Sequence, residues 1–165
     1  MTSKPRTAGP VSGPAQFELE RFLPYRLSVL TNTISQGIAR DYRERHDIGV
    51  TEWRILAVLG RFPGLTASEV TERTAMDKVA ISRGVKSLTE KGLLERRTDA
   101  GDRRRQRLFI TDKRGRQVLN EIIPRARRYE RQLLQTLSGR ELAALSEALH
   151  KLQQQAGELR ADIPG

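Results

Sequence analysis

The chain has 165 residues, about the length of one average domain. Its 30 Lys and Arg residues against 20 Asp and Glu give a formal charge of +10, which predicts a polyanionic partner, nucleic acid before a membrane surface. The absence of cysteine excludes disulfides, thiolate metal sites and cysteine nucleophiles, and only two histidines are present. We therefore predict neither a metal nor a cofactor.

The sequence contains no candidate membrane or export segment. No stretch approaches the roughly 18 apolar residues of a membrane-spanning helix, and the first residues lack the apolar segment of a secretory signal. We therefore predict a cytoplasmic protein without membrane contact. Residues 1–16 hold three of the seven prolines, no acidic residue and almost no apolar side chain, so we interpret them as a flexible basic tail.

The first structured region is predicted to be helical. Residues 17–22 favour a short helix, and Pro24 fits the first turn of a longer one that extends to about His46. Apolar side chains at helical spacing predict a buried stripe on this helix, namely Leu27, Leu30, Ile34 and Ile38. Residues 51–62 repeat the helical pattern until Pro63-Gly64 stops it.

Two short helices with clear start signals follow. Thr66 and Glu69 have the spacing of a capping box and begin a helix that ends near Thr74. Asp77 is an N-cap residue for a second helix, which ends at Gly92. Because only Ala75 and Met76 separate the two helices, the pair predicts a helix-turn-helix.

One face of the helix after Asp77 is cationic. Its apolar positions are predicted to face the core, which turns outward the set Lys78, Val79, Ser82, Arg83 and Lys86. In a DNA major groove about 12 Å wide, Arg83 can pair with guanine, Ser82 can donate to a base or phosphate, and Val79 can meet a thymine methyl. Lys78 and Lys86 are better placed to hold phosphates. The alternative is the solvated charged face of any amphipathic helix.

A β-hairpin with an arginine-rich tip is predicted next. Residues 93–98 and 103–111 flank the turn signal Asp99-Ala100-Gly101-Asp102. The second segment carries the cationic side chains Arg103, Arg104, Arg105 and Arg107. Such a density is self-repelling unless a polyanion neutralises it, and a narrow DNA minor groove accepts an inserted arginine. The alternative is a solvated charge run. We expect Asp102 to orient an arginine two residues further on.

The remaining sequence predicts two helices and a dimer. Thr111-Asp112 is predicted to cap a long helix that Pro124 kinks, and Ser138 with Glu141 forms another capping box. The last helix carries a near-heptad series of leucines, Leu142, Leu145, Leu149, Leu152 and Leu159. Each contributes about 1.5–3 kcal/mol when fully buried, so the series calls for an apolar partner. A second copy of the chain provides one; packing on the preceding helix is the alternative.

These elements predict a mainly α fold with a small β wing, a winged helix-turn-helix. We divide the chain into the basic tail at 1–16, N-terminal helices at 17–50, the winged DNA-binding domain at 51–111, and C-terminal dimerisation helices at 112–165. The N- and C-terminal helices together are predicted to form a dimerisation lobe.

The stretch Leu93-Leu94-Glu95-Arg96-Arg97, with Asp99, Asp102-Arg103-Arg104, Leu108-Phe109-Ile110-Thr111 and Gly115, resembles the wing signature of the multiple antibiotic resistance regulator (MarR) family. The resemblance extends from about residue 51 to residue 119. It implies a homodimer that reads a pseudo-palindrome in double-stranded DNA, with Asp102 and Arg104 as the family's wing pair. Gly84, where a larger side chain is usual, and Arg107, at a position often apolar, depart from the pattern.

The resemblance also implies a small, often aromatic or phenolic, effector bound where the first, second and fifth helices meet. Candidate residues for that pocket are Tyr25, Ser28 and Trp53. The segments around them are similar to regulators of aromatic-acid catabolism that respond to aryl-CoA thioesters. The predicted function is a transcriptional repressor that such a ligand releases from its operator. The alternative is a nonspecific architectural or RNA-associated protein; the sequence offers no catalytic constellation, so we do not expect an enzyme.

Overall fold

A computed structural model describes residues 17–161; the predicted basic tail at 1–16 lies outside this range, as do residues 162–165. The described chain begins with a 3₁₀ turn (Leu19–Arg21). The regular elements that follow are α1 (Leu23–His46), α2 (Val50–Arg61), α3 (Ala67–Thr74), α4 (Lys78–Glu90), β1 (Leu94–Thr98), β2 (Gln106–Ile110), α5 (Arg114–Leu134) and α6 (Gly139–Ala161). The chain divides into two compact units, with the boundary between Gly37 and Ile38 inside α1.

The first unit contains the 3₁₀ turn and the amino-terminal part of α1. The rings of Phe17 and Phe22 lie 5.0 Å apart, and Pro24 occupies the first turn of α1, as the sequence predicts. The predicted buried stripe is not covered at its start, because Leu27 and Leu30 are 36% and 53% exposed. In the described part of this unit, one helix and one short turn provide no second apolar layer that would bury them.

The second unit contains the hydrophobic core, to which α2, α4 and α5 contribute three buried apolar side chains each. Ile55, Leu56, Ile81 and Leu88 are fully buried at its centre. Their burial follows from the helical spacing of apolar residues, which places them on one face of each helix.

Both predicted start signals of the helix-turn-helix are confirmed. The hydroxyl of Thr66 accepts a hydrogen bond from the Glu69 backbone N–H (3.3 Å), and the Glu69 carboxylate accepts one from the Thr66 N–H (2.7 Å). Asp77 accepts hydrogen bonds from the N–H groups of Val79 (2.9 Å) and Ala80 (3.0 Å). These bonds satisfy donors that a helix leaves open at its first turn. Ala75, at φ +50°, ends α3 and turns the chain toward α4.

The predicted hairpin is an antiparallel pair of strands that pairs Leu94 with Ile110 and Thr98 with Gln106. Leu94 and Leu108 point into the core and are 2% exposed, so the base of the wing is part of the hydrophobic centre. Arg107, which departs from the apolar pattern of the resemblance, lies within β2.

The start of α5 differs from the prediction. The helix begins at Arg114, and Lys113 precedes it without a side-chain cap. The Thr111 hydroxyl accepts the Gly115 N–H (2.9 Å) and donates to the Gly92 carbonyl (2.8 Å). Thr111 therefore links the first turn of α5 to Gly92, just after the end of α4. Of the predicted capping pair Thr111-Asp112, only the threonine caps the helix.

The two last helices are long. α5 continues unbroken through Pro124, and α6 begins with the predicted capping box, in which the Glu141 carboxylate accepts the Ser138 N–H (2.8 Å). The leucine series of α6 is 39–57% exposed, so packing within residues 17–161 does not cover it. Among the helices of residues 17–161, none is long and apolar enough to cross a membrane.

Candidate nucleic-acid interface

The outward face of α4 has the predicted composition. Ile81, Val85 and Leu88 point into the core at 0–2% exposure. Val79 is 54% exposed, and the other predicted contact residues, Lys78, Ser82, Arg83 and Lys86, are exposed as well. The structure thus places all five on the solvent side of one helix, where side chains are available to a ligand as wide as a DNA groove.

Glu52 of α2 fixes the orientation of α4, a role that the sequence analysis did not identify. Its carboxylate accepts hydrogen bonds from the Ser87 hydroxyl (2.7 Å), from Lys91 Nζ (3.1 Å) and from the Gly49 N–H (2.7 Å). Only the last of these is local in sequence. Because the Glu52 side chain is 12% exposed, these bonds are shielded from solvent and join the start of α2 to the end of α4.

Lys91 is the cation of this network. It also lies 3.3 Å from the Asp47 carboxylate and donates to the Asp47 carbonyl. Burial by itself lowers the pKa of Lys91, but its hydrogen bonds to Glu52 and Asp47 outweigh burial, and the net effect raises the pKa above its ordinary value. Lys91 is therefore charged at neutral pH.

Gly84 lies where α4 packs closely against α2. It is buried, and a Cβ atom built on it would lie 2.6 Å from Ile55 Cδ1 and 3.2 Å from Thr51 Cγ2. A glycine in a helix interior costs about 1 kcal/mol relative to alanine, but an alanine here would contact α2 too closely. The absence of a side chain lets the two helices pack closely.

The tip of the wing is a tight turn built by two aspartates. Asp99 Oδ1 accepts the N–H groups of Gly101 (2.8 Å) and Asp102 (3.1 Å), and Asp102 Oδ1 accepts the N–H of Arg104 (3.0 Å). Asp102 thus contacts Arg104 through the main chain, so it fixes the backbone from which that side chain projects. Asp102 and the arginines at 103–105 are all exposed.

Arg107 and Asp99 form an ion pair at the base of this turn. Arg107 Nε donates to Asp99 Oδ2, and Arg107 Nη1 donates to the Gly64 carbonyl (2.8 Å). The hydrogen bond from Arg107 is the main cause that lowers the pKa of Asp99, and the N–H groups of Gly101 and Asp102 lower it further. Sequence reasoning treated Asp99 only as a turn residue; its ion pair joins positions that both lie in the hairpin.

The predicted effector residues fall in different units. Tyr25 (42% exposed) and Ser28 lie in the first unit, where both are exposed. Trp53 is half-buried in the second unit, and its ring lies 5.8 Å from that of Tyr42. Their joint role in one pocket stays a prediction.

Tyr42 is a further residue of interest that the sequence analysis did not single out. It is 2% exposed, and its buried hydroxyl has no hydrogen-bond partner among the residues that the structure describes. Burial raises the pKa of this phenol to about 12, against a smaller opposing effect of Arg54 and Arg43. A buried hydroxyl without a partner is uncommon in proteins, so Tyr42 beside Trp53 offers a free polar contact.

Comparison with known proteins gives consistent matches. A sequence profile of the MarR family matches residues 46–105. A Thauera aromatica protein assigned as the transcriptional regulatory protein for the hcr operon is 29% identical over 157 residues, which cover 94% of this chain and 88% of that protein. The HTH-type transcriptional regulator TcaR of Staphylococcus aureus is 32% identical over 92 residues, 54% of this chain and 60% of TcaR.

The fold is also found among solved structures. The crystal structure of a MarR/EmrR family transcriptional regulator from Acinetobacter sp. ADP1 superposes with a TM-score of 0.78 at 27% identity, covering 86% of this chain and 99% of that one. The profile match spans α2, α3, α4 and most of the wing, where the side chains described above are concentrated. The chain is thus similar to MarR-family regulators, in its winged-helix fold and, over residues 46–105, in its sequence.

Proposed function

We propose that this protein is a sequence-specific transcriptional regulator that binds double-stranded DNA as a homodimer. The observation that carries the proposal is the exposed cationic face of α4 together with the arginine-tipped wing in the same compact unit. A winged helix-turn-helix places its second helix in the major groove and its hairpin beside the adjacent minor groove.

Within that arrangement, Arg83 is the proposed base-reading residue, since a guanidinium pairs bidentately with guanine O6 and N7. Ser82 donates to a base or phosphate, Val79 contacts a thymine methyl, and Lys78 and Lys86 hold phosphates. On the wing, Arg104 is the proposed minor-groove residue, with Asp102 fixing its backbone (3.0 Å) and Arg103 and Arg105 beside it.

The leucines of α6 support the homodimer. Leu142, Leu145, Leu149 and Leu152 recur every three or four residues along one face and are 39–43% exposed. Exposed apolar faces of this kind mark interaction surfaces. A two-fold axis presents two α4 helices to half-sites about 34–36 Å apart, or a multiple of that distance, which matches a pseudo-palindromic operator.

DNA recognition is tested by mobility shift with duplex from the region upstream of the gene, against random duplex, in about 150 mM salt. We expect a preference for one operator and, for about eight phosphate contacts, a salt slope on the order of −7. Arg104→Ala is expected to weaken operator binding markedly and to leave the dimer intact. Arg160→Ala on α6 removes the same charge outside the winged region and is the matched control. A dimer without any operator preference would refute the proposal.

For regulation, we propose a repressor that a small aromatic or phenolic ligand, or its CoA thioester, releases from DNA. The half-buried Trp53 ring and the unpartnered Tyr42 hydroxyl support a ligand with both an aromatic and a hydrogen-bonding group. Such a ligand must bind the arrangement that does not bind DNA more tightly. The roles of Tyr25 and Ser28 in the same pocket remain predictions.

The ligand class is tested with the intrinsic fluorescence of Trp53, the one tryptophan of the chain. A panel of phenolic acids and their CoA esters is titrated, and each hit is then added to the operator complex. We expect a saturable fluorescence change and release of DNA over the same concentration range, with a raised melting temperature of the free protein. Hits that change fluorescence and leave the complex intact would contradict the release mechanism.

A nonspecific nucleic-acid-binding protein is the second candidate, favoured by the formal charge of +10. Aromatic residues make up only 5% of the chain, which argues against stacking on single strands. Equal affinity for single-stranded RNA and duplex DNA would favour this candidate.

A further inference from the structure

We propose that Arg107 and its ion-pair partner Asp99 position the wing. Arg107 ties the hairpin to the loop between α2 and α3 through the Gly64 carbonyl, Asp99 links Arg107 to the tip, and together they set where Arg104 meets DNA relative to α4. The inference rests on the DNA-binding function proposed above. It makes both members of the pair positioning residues, acting through Arg104, and gives Arg107 a role at a position where it departs from the family's usual apolar residue.

Arg107 occupies a place from which it reaches two acceptors at once. It lies in β2 opposite Arg97, and its guanidinium donates through Nε to Asp99 and through Nη1 to the Gly64 carbonyl (2.8 Å). Arg107 and Asp99 side chains are 38% and 14% exposed. The planar guanidinium holds its N–H donors at fixed angles, so these two bonds together fix the orientation of the side chain; we call them the Arg107 fork. A lysine ammonium does not fix the orientation in this way.

Asp99 connects this fork to the tip of the wing. Its Oδ2 accepts from Arg107, while its Oδ1 accepts from the N–H groups of Gly101 (2.8 Å) and Asp102 (3.1 Å). Asp102 in turn fixes the backbone of Arg104 (3.0 Å). A continuous series of bonds therefore runs from the Gly64 carbonyl to the main chain of the proposed minor-groove residue.

The loop that carries the Gly64 carbonyl is itself held in place by hydrogen bonds to β2. The Gly64 N–H donates to the Leu108 carbonyl (3.0 Å), and the Leu108 N–H donates to the Leu65 carbonyl (2.9 Å). Gly64 has φ +82°, and a Cβ on it would lie 3.1 Å from the Phe109 ring, so this loop conformation favours glycine. The loop leads directly into α3, so the fork links the wing to the helix-turn-helix itself.

The hairpin needs this additional link because a two-stranded ribbon is marginally stable by itself. Its base is held by the buried Leu94 and Leu108, whereas the residues from Asp102 to Arg105 are exposed. Between that base and the tip, the Arg107 fork is a charged contact that joins the hairpin to the loop before α3. Without it, the tip samples more directions, and binding DNA must restrict them.

The sharpest test is Asp99→Asn. Asparagine retains an acceptor for the turn but loses the ion pair, and the protein becomes more positive by one charge. Net charge alone predicts that this variant binds DNA more tightly. The positioning role predicts weaker binding, and we expect operator affinity to fall by roughly tenfold. Arg107→Lys is the companion variant, because it keeps the charge and loses the fork.

The coupling to Arg104 is measured with a double-mutant cycle. If the pair acts through Arg104, the Arg104→Ala change costs less operator affinity in the Asp99→Asn or Arg107→Lys background than in the wild-type protein. Hydrogen exchange of the amides at Gly101, Asp102 and Arg104 is expected to speed up in both variants, with core amides of α2 and α4 unchanged.

The outcomes separate the two proposals. If the wild-type protein shows no operator preference, the proposed function fails. If the wild type and Arg104→Ala behave as expected but Asp99→Asn and Arg107→Lys bind as tightly as wild type, or their effects simply add to that of Arg104→Ala, the positioning role is refuted. Melting temperatures identify a variant that does not fold, in which case the other variant decides.

Discussion

Adding one methyl group to a helix should have opposite effects at Gly84 and at Gly157. An alanine in a helix interior is favoured over glycine by about 1 kcal/mol, so Gly157→Ala, where a Cβ meets nothing within 4 Å, should stabilise by up to that amount. At Gly84 the same gain is offset by the cost of a steric clash, because the new Cβ would lie 2.6 Å from Ile55 Cδ1. Ile55 is fully buried at 0% exposure, so its Cδ1 must move against closely packed neighbours to make room.

Overpacking of a tight core costs about 1–3 kcal/mol. The expected net effect of Gly84→Ala is therefore a loss of up to about 2 kcal/mol in the free energy of unfolding. For a chain of this size, each kcal/mol shifts the melting temperature by about 2–4 °C.

Thermal unfolding followed by far-UV circular dichroism distinguishes the two variants. We expect Gly84→Ala to melt below the wild type and Gly157→Ala above it. Should Gly84→Ala raise the melting temperature as much as Gly157→Ala, the close approach of α2 and α4 would not be the reason for glycine at this position.

Three further predictions concern single side chains. Glu52→Ala removes the acceptor of three hydrogen bonds and should lower the free energy of unfolding by roughly 3 kcal/mol in urea titrations, whereas the exposed Glu72→Ala should leave it nearly unchanged. Tyr42 ionises at about pH 12 in the folded state and near 10 when unfolded, so the unfolded chain releases its proton first. Stability should therefore fall between these pH values, and Tyr42→Phe should reduce that fall and remove the last tyrosine step of an absorbance titration. Asp77→Ala should destabilise by about 1 kcal/mol through loss of the α4 cap, and Asp77→Asn, which still caps, should not.

Local sequence determined the order and the limits of most elements. Thr66 with Glu69, Asp77, and Ser138 with Glu141 begin helices through bonds that span two or three residues, so their spacing suffices to predict them. The outward face of α4 was predictable for the same reason, because helical periodicity assigns each side chain to the core or to solvent.

Contacts between distant residues were decided by the tertiary structure. Glu52 meets Ser87 across 35 positions, and Arg107 meets the Gly64 carbonyl across 43. No periodicity relates these partners; they meet because α2 packs on α4 and because β2 pairs with the loop before α3. The same packing explains Gly84. Glycine lowers the stability of an isolated helix, but here α2 lies so close to α4 that a larger side chain would clash with it.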